Sequence, residues 1–134
     1  MDGSMKQIVA LFGESEKGHF KTPHRLSHLP QLIDLLGNPP EHSEGLFFAI
    51  QAILYERDVI FFRVAEEGFS KLDYMIGFEQ LRQEKKVHAL CLPGVGDPEI
   101  LTEFERLYQI HQSLLITSQK DLYDFLTSRS PTCD

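Results

Sequence analysis

DVIFFRVAEEGFSKLDYMIGFEQLRQEKKVHALCL, running from Asp58 to Leu92, is the stretch that decides the fold. It opens on Asp58–Ala65 (DVIFFRVA) and closes on Val87–Leu92 (VHALCL), two apolar runs rich in β-branched and aromatic residues. Neither alternates strictly between apolar and polar residues. Strands covered on both faces read this way, as in parallel sheets. Between them Ser70–Gln83 has the pattern of a helix, opened by Ser70 with Asp73 three residues on, the spacing of a capping box. Strand, helix and strand in that order predict a right-handed crossover between two parallel neighbours.

Working outward, Lys6–Phe12 (KQIVALF) and Ser113–Thr117 (SLLIT) have the same strand character. Toward the N-terminus lie a segment from Thr22-Pro23 through Pro30 to Gly37, with Leu29, Leu32, Ile33 and Leu36 on one face, and an almost wholly apolar helix, Leu46–Glu56. Pro98–Gln112 follows, with Asp97 as N-cap and Pro98 in the first turn. Gln119–Ser128 follows in turn, opened by Ser118 and Asp121. This alternation predicts an α/β domain: a small three-layer, Rossmann-like or flavodoxin-like unit. Its four-stranded parallel sheet would have order 2-1-3-4 and helices on both faces. Residues 5–128 are expected to form that single domain, Met1–Ser4 to be an expression scar, and Arg129–Asp134 to be a disordered tail.

Composition narrows the function classes. The chain has 134 residues, a length that suits one domain, and 42% of them are hydrophobic. Ten phenylalanines and no tryptophan predict an aromatic core. Thirteen Lys and Arg against twenty Asp and Glu give a net charge of −7, which repels nucleic-acid backbones and anionic membranes alike. No apolar run approaches the roughly 20 residues of a membrane span, and no signal peptide is evident. The two cysteines, Cys91 in a strand pattern and Cys133 near the C-terminus, make neither a disulfide framework nor a metal spacing. A reducing cytoplasm is the compartment this predicts.

In open parallel sheets, ligands bind beyond the carboxyl ends of the strands, where the strand order reverses. Four loops would line that rim: Gly13–Gly18, Glu66–Ser70, Pro93–Asp97 and Ser118–Lys120. In Pro93–Asp97 (PGVGD), Gly94 and Gly96 would turn backbone N–H groups outward just before a helix N-terminus, a phosphate cradle in outline. Their alternative role is turn geometry alone. The candidate ligand-binding set adds Gly13, Glu14 and Ser15 from the first loop. It also adds Lys17, Lys21 and Arg25 from Lys17–His28 (KGHFKTPHRLSH), a basic flap that would clamp an anion. His19, His24 and His28 in the flap would strengthen anion binding on acidification. His24 and His28 have a helical metal-ligand spacing, but no third ligand accompanies them, so no metal is expected. Glu66 and Glu67 are the catalytic candidates, placed where an acid binds a ribose hydroxyl or serves as a general base.

The order of strand, acidic loop, helix and strand over Asp58–Leu92 loosely resembles nucleoside deoxyribosyltransferase-like and TIR-like domains, whose helix carries an E-x-G motif. The helix here reads Tyr74-Met75-Ile76-Gly77-Phe78, so the family's catalytic glutamate falls on Met75. The likeness covers about a quarter of the chain. It implies a nucleoside-like ligand class and leaves the glycosidic step without its acid. Three functions follow as expectations. The first is a binding or regulatory module for a nucleotide-like or phosphorylated small ligand, with the cofactor unknown. The second is a glycosyl-type enzyme acting on a nucleoside or sugar phosphate. The third is a protein-interaction or oligomerisation domain, a homodimer through the apolar helix included.

Overall fold

The sequence IVALFG forms β1 (Ile8–Gly13), buried from Val9 to Gly13 at the centre of the sheet. In this computed structural model, which describes residues 6–128, β1 pairs in parallel with β3 (Asp58–Arg63) from Ile8↔Asp58 to Gly13↔Arg63. On its other side it pairs in parallel with β4 (Ala89–Cys91), which in turn pairs in parallel with β5 (Leu114–Ile116). Alternate residues of each strand enter different cores. Val9, Leu11, Val59, Phe61, Ala89 and Cys91 face one helical layer, and Ala10, Phe12, Ile60, Phe62 and Leu90 face the other. That division is the physical reason the strands read as continuous apolar runs.

The first layer comprises α1 (Leu29–Leu36), α2 (Gly45–Leu54) and α5 (Gln119–Thr127), packed through Leu32, Leu36, Phe48, Ala52, Leu122 and Phe125. The second comprises α3 (Lys71–Leu81) and α4 (Pro98–His111). Its centre is aromatic. The Phe12 ring stacks on Phe62 at 4.7 Å and on Tyr74 at 5.2 Å, and Phe78 meets it edge-on at 5.2 Å. A Cβ on Gly77 would strike the Phe12 ring, so this helical glycine is what lets α3 approach β1.

The expected four-stranded, wholly parallel sheet is corrected to five strands in the order β2-β3-β1-β4-β5. The addition, β2 (His24–Leu26), pairs antiparallel with β3 from His24↔Phe61 to Leu26↔Val59. It is three residues long and has no apolar run. It forms because Leu26 and His24 turn into the core while Arg25 stays exposed. The four expected strands keep their relative order, β3-β1-β4-β5, inside this sheet. The expected scar, Met1–Ser4, and C-terminal tail, Arg129–Asp134, lie outside the described residues.

Two of the three N-caps expected from the sequence form. Asp97 accepts from the Glu99 N–H (2.8 Å) and Ser118 Oγ from the Asp121 N–H (3.1 Å), as N-caps do. The Ser70–Asp73 capping box does not form. Ser70 Oγ instead bonds the backbone of Glu66, and Asp73 accepts from the Ala65 N–H at 2.9 Å, so both fasten the loop after β3. Among the described residues no helix is long and apolar enough to cross a membrane.

Candidate functional site

The chain leaves β1 toward β3 on one side and returns to β4 on the other. The loops after these strands part at their carboxyl ends and open a crevice of about 720 Å³. Glu14 follows β1; Glu66, Glu67 and Phe69 follow β3; Gly94 follows β4; Thr117, Ser118 and Gln119 follow β5. His42 and Glu44 complete the lining from the loop that precedes α2. Glu14, Glu44, Glu66 and Glu67 therefore share one rim, and neither Lys nor Arg is among the residues that line it.

The floor is a crossing of backbones that only glycine permits. A Cβ on Gly13 would lie 2.6 Å from the Gly45 Cα, and one on Gly45 would lie 2.5 Å from the Gly13 Cα. The end of β1 thus rests directly on the first turn of α2. A second crossing joins the loops after β3 and β4. Gly68, at φ +91°, turns the face where a Cβ would sit onto the Gly94 carbonyl oxygen, and Gly94 is itself at φ +80°. Gly68 also donates its N–H to the buried Tyr74 hydroxyl at 2.6 Å.

Glu67 binds these pieces together. Its Oε1 accepts from the Glu14 and Gly45 N–H groups, each at 3.1 Å, and its Oε2 accepts from the Glu44 N–H at 2.7 Å. Glu14 answers by accepting the Glu67 N–H at 2.9 Å. The carboxylate stands at the positive end of α2 and satisfies donors that the helix leaves free. Burial pushes the Glu67 carboxyl above its ordinary value. The three N–H donors pull it back and the Glu14 charge adds to the rise.

Of the candidates read from the sequence, the crevice takes Glu14, Glu66, Glu67 and Gly94, with Gly13 directly beneath. It does not take the others. Ser15 is buried, and its Oγ donates to the Lys17 carbonyl at 2.8 Å. Gly96 has open space where a Cβ would lie, so the close approach in the PGVGD loop belongs to Gly94. The basic flap runs beside β3 and supplies β2, the edge strand of the sheet. Lys17 donates its N–H to the Leu36 carbonyl, Gln80 donates to the Lys21 carbonyl, and Arg25 pairs with Glu84. Arg63 pins the flap, with its guanidinium 4.3 Å from the centre of the Phe20 ring and 2.7 Å from the Gly18 carbonyl.

Sequence reasoning missed His42 and Glu44, because the loop Asn38–Glu44 carries no pattern that says it returns to the strand ends. It also passed over Phe69, which is 70% exposed at the mouth of the crevice. A large aromatic in an otherwise polar loop was the available signal. Comparisons with protein-family models, with curated proteins and with solved structures find no match for this chain.

Proposed function

We propose that this is a Rossmann-like binding module that takes a nucleotide-like small ligand in the strand-end crevice, gripping its nucleoside half. The observation that carries the reading is the exposed Phe69 ring beside Glu14, Glu44 and Glu66 on one crevice. An aromatic face stacks on a planar base or the apolar face of a sugar. Carboxylates accept hydrogen bonds from ribose hydroxyls or base N–H groups. The same lining disfavours the phosphorylated half of such a ligand, because like charges repel and neither Lys nor Arg is among the lining residues. A reducing cytoplasm is the compartment we assign, supported by the buried free thiol of Cys91.

A thermal-shift screen of matched nucleosides and nucleotides tests this. A nucleoside at about 100 times its dissociation constant stabilises the fold by roughly 2.7 kcal/mol, and its nucleotide partners shift the midpoint less. If no member of either series moves the midpoint, the binding reading falls. Conversion of the compound during incubation, followed by chromatography, would instead favour the glycosyl-type enzyme. The exposed Phe47, Tyr55 and Tyr123 around a groove between α2 and α5 keep a protein-interaction role as the second reading.

A further inference from the structure

We propose that His88 is an acid-sensitive latch at the base of the sheet, opposite the crevice: its neutral imidazole closes the β1–β4 ladder, and its protonation releases the start of β1. The β1–β4 pairing is short, from Val9↔Ala89 to Leu11↔Cys91. Just before it, a single residue ties three strands. The His88 N–H donates to the Ile8 carbonyl at 2.8 Å, and its own carbonyl accepts from the Leu114 N–H at 3.0 Å. Its imidazole Nδ1 accepts from the Ile8 N–H at 3.0 Å. That side chain stands where the next backbone carbonyl of a longer strand would be.

The chemistry of imidazole makes this bond conditional. Nδ1 accepts only while it holds a lone pair, and a protonated ring presents N–H on both nitrogens. The charged form would set an N–H against the Ile8 N–H and leave that backbone donor without a partner. The surroundings oppose the charged form as well. Burial, and then the Lys86 ammonium, hold the His88 imidazole below its ordinary pKa. Lys86 is itself fixed, its ammonium 2.5 Å from the His111 carbonyl. On the β5 side stands the uncharged Ser113, bonded to the Val87 carbonyl, and from α4 the His111 ring engages the Leu81 carbonyl at 2.8 Å. Asp58, across β1, lies 4.0 Å from Lys6, and Glu84 pairs with Arg25.

The sign follows from the direction of the shift. A histidine whose folded pKa lies below its unfolded value of about 6.5 contributes stability that is present above that value. The contribution is lost as pH falls through the folded pKa. The test compares wild type with His88→Asn, whose side-chain carbonyl reaches the same point and accepts at every pH, and with His88→Ala, which never accepts. Amide hydrogen exchange at Ile8, corrected for intrinsic rates, is read at pH 7.5 and at pH 5. On acidification wild-type protection should fall about fivefold, the scale of one hydrogen bond. His88→Asn should hold its protection, and His88→Ala should be low at both pH values. Equal pH dependence in wild type and His88→Asn would overturn the latch. Should either variant fail to fold, an NMR titration of the wild type decides. The Ile8 amide must move with the same midpoint as the His88 ring, and an Ile8 resonance indifferent to that midpoint overturns the proposal.

Discussion

Replacing Glu67 by alanine isolates the brace under the crevice. The substitution strips three backbone N–H groups, of Glu14, Glu44 and Gly45, of their acceptor. Fully buried, each charge-assisted bond would be worth roughly 1.5–3 kcal/mol. This site opens into the crevice, so water replaces part of the loss, and removing the carboxylate also relieves its desolvation. Helix N-caps, with losses of about 1–2 kcal/mol, are the nearer guide, and we expect about 2–3 kcal/mol in total for Glu67→Ala. In a domain of this size that lowers the melting midpoint by about 6–15 °C. Glu67→Gln should lose about half as much, because its carbonyl oxygen serves the Glu14 and Gly45 donors while its amide faces Glu44. The pH course adds a second reading. The Glu67 carboxyl lies above its unfolded value of 4.5, so the proton-linked part of its contribution is full below about pH 4.5 and is lost as pH rises through the folded pKa, leaving the three N–H bonds of the carboxylate. Wild type should therefore gain on Glu67→Gln as pH falls from about 7 to 4. Urea denaturation across that range measures both effects. A Glu67→Ala variant within about 0.5 kcal/mol of wild type would refute the brace. A gap between wild type and Glu67→Gln that shrinks on acidification would show that the N–H donors outweigh burial.

The two glycine-bearing loops give an internal contrast: Gly68→Ala should cost about 2–4 kcal/mol, since its φ is +91° and its Cβ would meet the Gly94 carbonyl, whereas Gly96→Ala should stay within about 0.5 kcal/mol. Denaturation midpoints of the two variants, measured side by side, check this. Tyr74→Phe leaves the buried Gly68 N–H without its acceptor and should destabilise by about 1–3 kcal/mol with the aromatic stack kept, as circular dichroism melts would register. In a Cys133→Ser background the one remaining thiol, Cys91, is buried and pushed well above its ordinary pKa, so Ellman's reagent should report no fast thiol until denaturant is added. Phe69→Ala and Glu66→Gln, both at exposed positions, should abolish nucleoside-induced thermal shifts and leave the unliganded midpoint within about 2 °C, which calorimetry of the free and liganded proteins can verify.

Much of this fold is legible because burial on two faces leaves a strong mark. β1 and β3 have apolar residues facing both helical layers, and so they stand out as unbroken runs. β2 leaves no such mark. An edge strand of three residues needs only His24 and Leu26 turned inward, and its remaining residue, Arg25, belongs by composition to a basic flap. The position of the crevice was legible for a topological reason, since parallel crossovers bring their loops to one end of the sheet. Its charge was not. Whether Lys17, Lys21 and Arg25 overhang the rim or lie along the sheet edge depends on β2 pairing with β3 and on Phe20 lying under Arg63, contacts remote in sequence. Ser70 and Asp73 failed for a related reason. Both side chains had a backbone partner in the strand-to-helix loop, and they took it in place of the helix end.

The helix N-termini count against an anion cradle as the use of this rim. A free helix N-terminus attracts phosphate through unpaired N–H groups and the positive end of the dipole. At α2 the Glu44 and Gly45 N–H groups bond the Glu67 carboxylate, at α4 the Glu99 N–H bonds Asp97, and at α5 the Asp121 N–H bonds the Ser118 hydroxyl. A phosphate arriving at α2 would have to displace an internal carboxylate that also fastens β1 through the Glu14 N–H. One arriving at α4 would meet Asp97, already in place. Within the binding reading, the chain has used its own anions where parallel folds commonly hold a ligand's. Within that reading, carboxylates and one exposed aromatic ring stand along the rim beside His42, Thr117 and Gln119, with neither Lys nor Arg among the lining residues, a set that would favour hydroxyl and N–H donors over phosphoryl oxygens. The backbone crossings at Gly13–Gly45 and Gly68–Gly94 fix that arrangement in place, so the proposed selectivity would rest on a floor built before any ligand arrives.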